Sequence, residues 1–273
     1  MLCLDYNKGR HLLTMITLAN VSIVLVNPSH PGNIGAAARA IMTMGLTKLV
    51  LVKPDNFPSK IATARAAGAE SLLEKATVVD SFAEAIAGKS LVVGTSARRR
   101  TFTYPHLTPR EIAPIIWDEA KLRNVAMCFG REDSGLRNVD LSKCHYHVEI
   151  PTDTNYSSLN LAAAVQVLTY ELRLVATLKS NLEGKGNRGP NITYYDLGIP
   201  GCQHWDEVPA KPEEVDGLME HFERATRHSG FLKASNPMLG MSRLRRLFNR
   251  ARIDRVELNI LRGILRSIEN LKN

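Results

Sequence analysis

The sequence predicts an α/β fold, a parallel sheet with helices on both faces, followed by a small helical C-terminal extension. Three observations lead there. Short, β-branched apolar runs alternate with amphipathic helical stretches over the first two thirds of the chain. A stretch rich in Gly, Pro and Asn, "SNLEGKGNRGPNITYYDLGIPGCQHWDEVPAKPEE", then interrupts all periodicity. Beyond it only helical periodicity returns. The expected boundaries are an N-terminal leader, expected to be disordered, over 1–17, an α/β domain over 18–180, a linker over 181–212 and a helical extension over 213–273.

Taken in order, the expected strands are Val21–Val26, Lys48–Val52, Leu91–Gly94, Val125–Phe129 and His145–Ile150. The expected helices between and after them are Ile34–Met44, Ile61–Ala67, Phe82–Ala87, Pro109–Leu122 and Leu159–Leu178. Asn33 stands where the first helix needs an N-cap. Ser157 or Ser158 is placed to cap the last one, with Asn160 in its first turn. In sheets of this kind ligands sit beyond the carboxyl ends of the strands, and each candidate site loop begins where a strand ends.

Composition narrows the functional classes. The chain has 273 residues, 44% of them hydrophobic, with a formal net charge of +8 and pI near 9.4. A core is within reach at that size, and a basic balance suits a polyanionic partner. From Met241 to Asn273, nine Lys and Arg stand against three Asp and Glu, a net +6. Arginines dominate that segment, so Arg243, Arg245, Arg246 and Arg250 are expected to form a phosphate-contacting face rather than a merely solvated one. No apolar run reads as a membrane span, and the first residues lack a secretory h-region, so the expected compartment is the cytoplasm. The cysteines Cys3, Cys128, Cys144 and Cys202 are scattered, without a CxxC pair. Cys128 reads as core. His145 and His147 alternate along a strand and read as sheet-surface residues, not a metal pair.

Three loops carry chemistry. "HPGNIGAAARA" is a glycine-containing turn into a helix, spaced G-x-x-G; it is neither a dinucleotide fingerprint nor a nucleoside-triphosphate loop. Arg39 stands alone there among small residues, and helical side chains lean back toward the helix N-terminus, where anions are favoured. It is read either as an oxyanion or phosphate grip or as a surface salt bridge. "VVGTSARRRT" leads from a strand into small residues, then Arg98, Arg99 and Arg100. "AMCFGREDSGL" turns at Gly130 with Arg131 and Glu132 next, and "YSSLNLAAAV" follows downstream. Taken singly, Glu132 reads as a capping or paired carboxylate, and Ser158 and Asn160 as simple caps.

Together "GNIGAAAR", "CFGREDSGL" and "YSSLNLAAAV" match, in order and spacing, the three motifs of the SPOUT class of RNA 2′-O-methyltransferases. The chain resembles the members that methylate the ribose of nucleotide 32, cytidine or uridine, in the tRNA anticodon loop, and the likeness runs from Leu18 to the C-terminus. The resemblance implies a deep trefoil knot at the C-terminal end of the α/β domain, a homodimer, S-adenosylmethionine as methyl donor, tRNA as substrate, and no metal or membrane. It implies that Thr95, Ser96, Ala97, Gly130, Ile150, Ser157, Ser158, Leu159 and Asn160 hold the donor. Arg39, Asn33, Glu132, Ser158 and Asn160 would surround the reaction centre, and Arg39, Arg98, Arg99, Arg100 and the tail arginines would contact RNA. Within that resemblance Arg39 is the usual candidate for deprotonating the ribose hydroxyl. A guanidinium stays protonated in proteins, however, so a phosphate grip and alkoxide stabiliser is the better physical reading. Rival readings are a methyltransferase acting on another tRNA or rRNA site, a non-catalytic RNA-binding protein of this fold, and a nicotinamide-dependent dehydrogenase, against which the missing fingerprint speaks.

Overall fold

A computed structural model describes residues 14–15, 17–96, 106–153, 155–182, 208–231 and 237–270. Seven strands form one sheet: β1 Val21–Val26, β2 Lys48–Val52, β3 Thr77–Val79, β4 Leu91–Thr95, β5 His106–Leu107, β6 Val125–Phe129 and β7 Tyr146–Val148. Their spatial order is β3-β2-β1-β6-β4-β7-β5, and every neighbouring pair is parallel. The helices of this part are α1 Pro31–Thr43, α2 Lys60–Ala66, α3 Glu70–Glu74, α4 Phe82–Ile86, α5 Pro109–Ala120, α6 Asn138–Leu141 and α7 Leu161–Leu182.

Strand side chains alternate between two apolar layers, because successive residues point to opposite faces. Ile23, Leu25, Met127 and Phe129 join the layer under α1, α5 and α7, while Val24, Val26, Ala126 and Cys128 join the layer under α4 and α6. Both faces are therefore covered, as unbroken apolar runs in a parallel sheet require. Cys128 is core, as expected. The glycines of the first loop serve packing. A Cβ on Gly35 would stand 2.0 Å from the Ala62 carbonyl oxygen, and one on Gly32 would stand 2.9 Å from the His30 ring. Gly35 thus lets α1 lie directly on α2.

Several expectations need correction. Residues 14–15 and 17–18 are helical and Thr14 and Thr17 are buried, so packed chain begins inside the leader expected to be disordered. His145 and His147 are not surface residues. They are 7% and 4% exposed; His145 Nδ1 accepts from the Val92 amide at 2.9 Å, and His147 Nε2 lies 3.0 Å from the Leu141 carbonyl oxygen. The strand at their position is short, Tyr146–Val148, because β7 is clasped between β4 and β5 for only a few residues. Helix α7 begins at Leu161 rather than Leu159, and its segment Leu161–Lys179 is, by length and composition, apolar enough to cross a membrane. Here it is a core helix: Leu161, Val165, Leu168, Leu172 and Val175 are buried in the sheet-facing layer.

The C-terminal unit has three helices, α8 Pro212–His228, α9 Pro237–Ala251 and α10 Arg255–Asn270, around its own apolar cluster of Leu218, Met219, Phe248, Leu258 and Leu265. The chain breaks between α9 and α10 because Arg252 adopts a left-handed backbone, φ 51°. Asp254 and Glu257 then cap α10 reciprocally, each accepting from the other's amide. The end of the expected linker belongs to this unit: the Ala210 amide donates to the Ile253 carbonyl at 2.9 Å.

Candidate active site

Three chain segments that leave the carboxyl ends of β4, β6 and β7 enclose a cleft of about 190 Å³. From β4 come Thr95 and Ser96; from β6 come Gly130 to Gly135; from β7 and the stretch before α7 come Val148, Ile150, Ser157, Ser158, Leu159 and Leu161. Of the residues expected to hold a donor, Thr95, Ser96, Gly130, Ile150, Ser157, Ser158 and Leu159 line this cleft. Ala97, Arg98, Arg99 and Arg100 lie outside the described residues.

Local structure explains why the segments stay in place. Thr95 Oγ1 donates to the Cys128 carbonyl at 3.1 Å, and the Ser96 amide donates to the Val148 carbonyl at 3.0 Å, tying the first segment to the other two. The turn from Gly130 closes through the Gly135 amide on the Arg131 carbonyl at 2.8 Å. No other residue fits at its start, since a Cβ on Gly130 would stand 2.0 Å from the Gly135 carbonyl carbon and from the Leu136 amide nitrogen.

Glu132, at the cleft wall, reaches across to the entry of α1. Its carboxylate accepts from the Ser29 amide at 3.0 Å, the Ser29 hydroxyl at 2.8 Å and Asn33 Nδ2 at 2.8 Å. Asn33 Oδ1 in turn accepts from Asn160 Nδ2 at 3.0 Å, and Asn160 Oδ1 accepts from the Ala162 amide at 2.9 Å. One hydrogen-bonded chain, Asn160–Asn33–Glu132–Ser29, therefore joins the three motif segments. Burial pushes the Glu132 pKa up, but the hydrogen bonds from Asn33 and Ser29 outweigh it and hold the carboxyl below its ordinary value. Glu132 is thus an ionised anchor at neutral pH, poorly matched to proton abstraction.

The capping assignments change with this geometry. His30, not Asn33, caps α1, its Nδ1 accepting from the Gly32 amide at 3.0 Å. Asn160, not Ser157 or Ser158, accepts from the first turn of α7. Asn33 and Asn160 are thereby turned toward each other. Ser29 was not foreseen: its partner is 103 residues away, and nothing local marks the pair. Arg39, further along α1, is exposed, makes no ion pair among the described residues, and is not part of the cleft lining in its own chain. The surface-salt-bridge reading of Arg39 thus finds no partner there.

In the C-terminal unit Arg243 and Arg250 are exposed. Arg246 is partly buried on the same helix. Arg245 forms an ion pair with Asp216, Nη1 to Oδ1 at 2.7 Å.

The cleft suits S-adenosylmethionine by the chemistry of its lining. Val148, Ile150, Leu159 and Leu161 offer an apolar wall for an adenine, and the hydroxyls of Thr95, Ser96, Ser157 and Ser158 offer partners for a ribose and an amino-acid group. Among the described residues no three His, Cys, Asp or Glu side chains are grouped to hold a metal.

Residues 20–170 match the SpoU rRNA methylase family, and residues 213–273 match the C-terminal domain of the tRNA methyltransferase TrmJ. The chain is 48% identical over 92% of its length, and 92% of the relative's, to the tRNA (cytidine/uridine-2′-O-)-methyltransferase TrmJ of Yersinia pestis. It is 45% identical, over 91% of its length and 93% of the relative's, to the tRNA (cytidine/uridine/adenosine-2′-O-)-methyltransferase TrmJ of Pseudomonas aeruginosa. The crystal structure of TrmJ from Z. mobilis superposes with a TM-score of 0.73 at 30% identity, covering 91% of this chain and 99% of that one. With its methylase domain, its three joined motif segments and its matched C-terminal domain, the chain belongs to the SpoU methylase family.

Proposed function

We propose that this protein transfers a methyl group from S-adenosylmethionine to a ribose 2′-oxygen of tRNA, at the cytidine or uridine of position 32 in the anticodon loop. The observation that carries the reading is the hydrogen-bonded chain Asn160–Asn33–Glu132–Ser29 standing at the wall of an amphipathic cleft. The kinship with relatives named as tRNA 2′-O-methyltransferases supports the substrate.

The bound donor supplies a sulfonium-activated methyl group, so the residues have only to bind, orient and stabilise charge. Thr95, Ser96, Gly130, Ile150, Ser157, Ser158 and Leu159 hold the donor. Glu132 keeps the Gly130 turn and the entry of α1 together, and so fixes the distance between donor and ribose. Positioning of this kind is worth on the order of 7–11 kcal/mol when reacting atoms are aligned. Arg39 binds a phosphate beside the target nucleotide and stabilises the developing alkoxide. It does so across a homodimer, being exposed and not among the residues that line the cleft of its own chain. Ser158 or solvent takes the proton. Arg243 and Arg250 extend the phosphate track; they supply affinity, whereas the chosen nucleotide is set elsewhere.

Mass-spectrometric mapping of tRNA incubated with the protein and S-adenosylmethionine tests the reading. A 2′-O-methyl group at position 32 is the expected product. A modification elsewhere would relocate the substrate, and no methyl transfer to any RNA would overturn the activity. Substrates with adenosine at position 32 belong in the same assay, since the Pseudomonas relative's name includes adenosine.

A further inference from the structure

The C-terminal unit and the methylase domain have separate apolar cores, yet they meet through buried polar contacts. Asn249, on the last turns of α9, is 5% exposed. Its Nδ2 donates to the Ser142 carbonyl at 2.6 Å and to the Cys144 carbonyl at 3.1 Å. Those carbonyls follow the end of α6, where helix geometry leaves oxygens without internal partners. Immediately after α9 ends at Ala251, three residues beyond Asn249, Arg252 is directed into the methylase domain. Its Nη2 donates to Glu119 Oε2 at 2.9 Å, with both side chains at least nine-tenths buried. Arg252 holds this pair from a left-handed backbone, an arrangement that a non-glycine residue keeps only when its surroundings impose it. Lys143 adds an ion pair to Asp216 at 2.7 Å on the other side.

The contacted segment matters. Ser142 to Cys144 is the lead into β7, and the far end of β7 delivers Val148 and then Ile150 to the cleft. Two pins therefore act on one short strand: the Asn249 amide at its entry and the cleft at its exit. Buried polar pairs of this type contribute little net stability against apolar replacements, and in some proteins they set register instead.

We propose that Asn249 and Arg252 are positioning residues that lock the C-terminal unit onto the methylase domain, Asn249 at the entry of β7 and Arg252 at the end of α5, so that RNA held by α9 meets the cleft in one fixed register. This rests on the methyl-transfer reading above for its catalytic consequence, though not for the latch itself. A tethered unit without the latch would still bind RNA through its exposed arginines, but would present it in many orientations.

The test uses the full chain. Asn249→Ala removes the double donor, and Asn249→Asp sets carboxylate oxygens against two carbonyl oxygens at the same volume. The expected pattern is a fall of at least tenfold in kcat/KM for tRNA, with the Kd for tRNA and the Kd for S-adenosylhomocysteine each within threefold of wild type. Hydrogen exchange of the amides from Lys143 to Val148 should quicken in both variants. Arg252→Met should behave likewise, and Arg252→Lys should recover most of the loss. Wild-type kcat/KM, or a loss of tRNA affinity that accounts for the whole fall, overturns the proposal. If Asn249→Asp fails to melt cooperatively, Asn249→Ala decides. If the wild-type protein methylates no RNA, the activity reading falls, and unchanged hydrogen exchange in Asn249→Ala would then overturn the latch on its own evidence.

Discussion

Glu132 is where two segments a hundred residues apart meet, and its chemistry follows from what surrounds it. Four donors converge on one carboxylate, the His30 amide the most distant at 3.5 Å, so replacing it with an amide turns one acceptor into a donor facing other donors. Glu132→Gln should destabilise the fold by about 1–3 kcal/mol, the usual cost of a partly buried donor left unmatched. Urea unfolding would read this as a lower midpoint at an unchanged slope, and turnover should fall with it. Arg39 makes the opposite prediction, since no intrachain ion pair depends on it among the described residues. Arg39→Ala should leave the melting temperature and S-adenosylhomocysteine binding as they are and remove methyl transfer by a hundredfold or more. Near-full turnover in single-turnover assays would take Arg39 out of the mechanism. The side chains at the site were legible as a set because three motifs occur in order, but their pairings were not. Asn33 looked like a cap until His30 took that role, and the freed amide of Asn33 then became the link to Glu132 and Asn160. Such pairings depend on where distant loops come to rest, which no local pattern records.

Elements with strong local signals were legible to within a few residues. The runs of β1, β2, β4 and β6 are apolar on both faces, and α1, α5 and α7 carry clear helical periodicity. Missed elements are the short ones, β3, β5, α3 and α6, whose few residues are shaped by neighbours more than by their own pattern. The α9–α10 break is marked in the sequence by Asp254 and Glu257, a capping pair within an otherwise helical pattern. Helix packing gives its own test. Gly35 places the α1 backbone directly on Ala62, and neither helix has a side chain able to yield there. Gly35→Ala should therefore separate α1 from α2 and cost about 1–3 kcal/mol as an overpacking substitution. Because Asn33 rides on the displaced α1, the variant should also lose activity beyond its loss of stability. Activity measured well below the melting temperature separates those two effects. If stability and activity both match wild type, the tight contact is not a constraint.

At the scale of the whole molecule, the junction between the methylase domain and the C-terminal unit contains a buried histidine. Burial, and then the Arg252 charge nearby, lower the His145 pKa to about 3, with Glu119 opposing them. The unfolded imidazole titrates at 6.5. Between those values the unfolded chain binds a proton that the folded chain refuses. Stability is therefore fully present above pH 6.5 and is lost progressively as pH falls toward 3. The thermal midpoint should fall between pH 7 and pH 5. His145→Asn, which keeps an acceptor for the Val92 amide, should flatten that fall; an equally steep one would assign the effect to other groups. The strand order carries one more consequence. Among the described residues, β6 is the only bridge between the strands β3-β2-β1 and the strands β4-β7-β5. A ribosome that has not yet released Val125 to Phe129 holds a chain in which β1 has one raw margin and β4, whose partners β6 and β7 both come later, is unpaired on both sides. During synthesis that interval is when this protein is most open to mispairing with its neighbours, and slowing translation ahead of β6 should raise the insoluble fraction more than slowing it afterward.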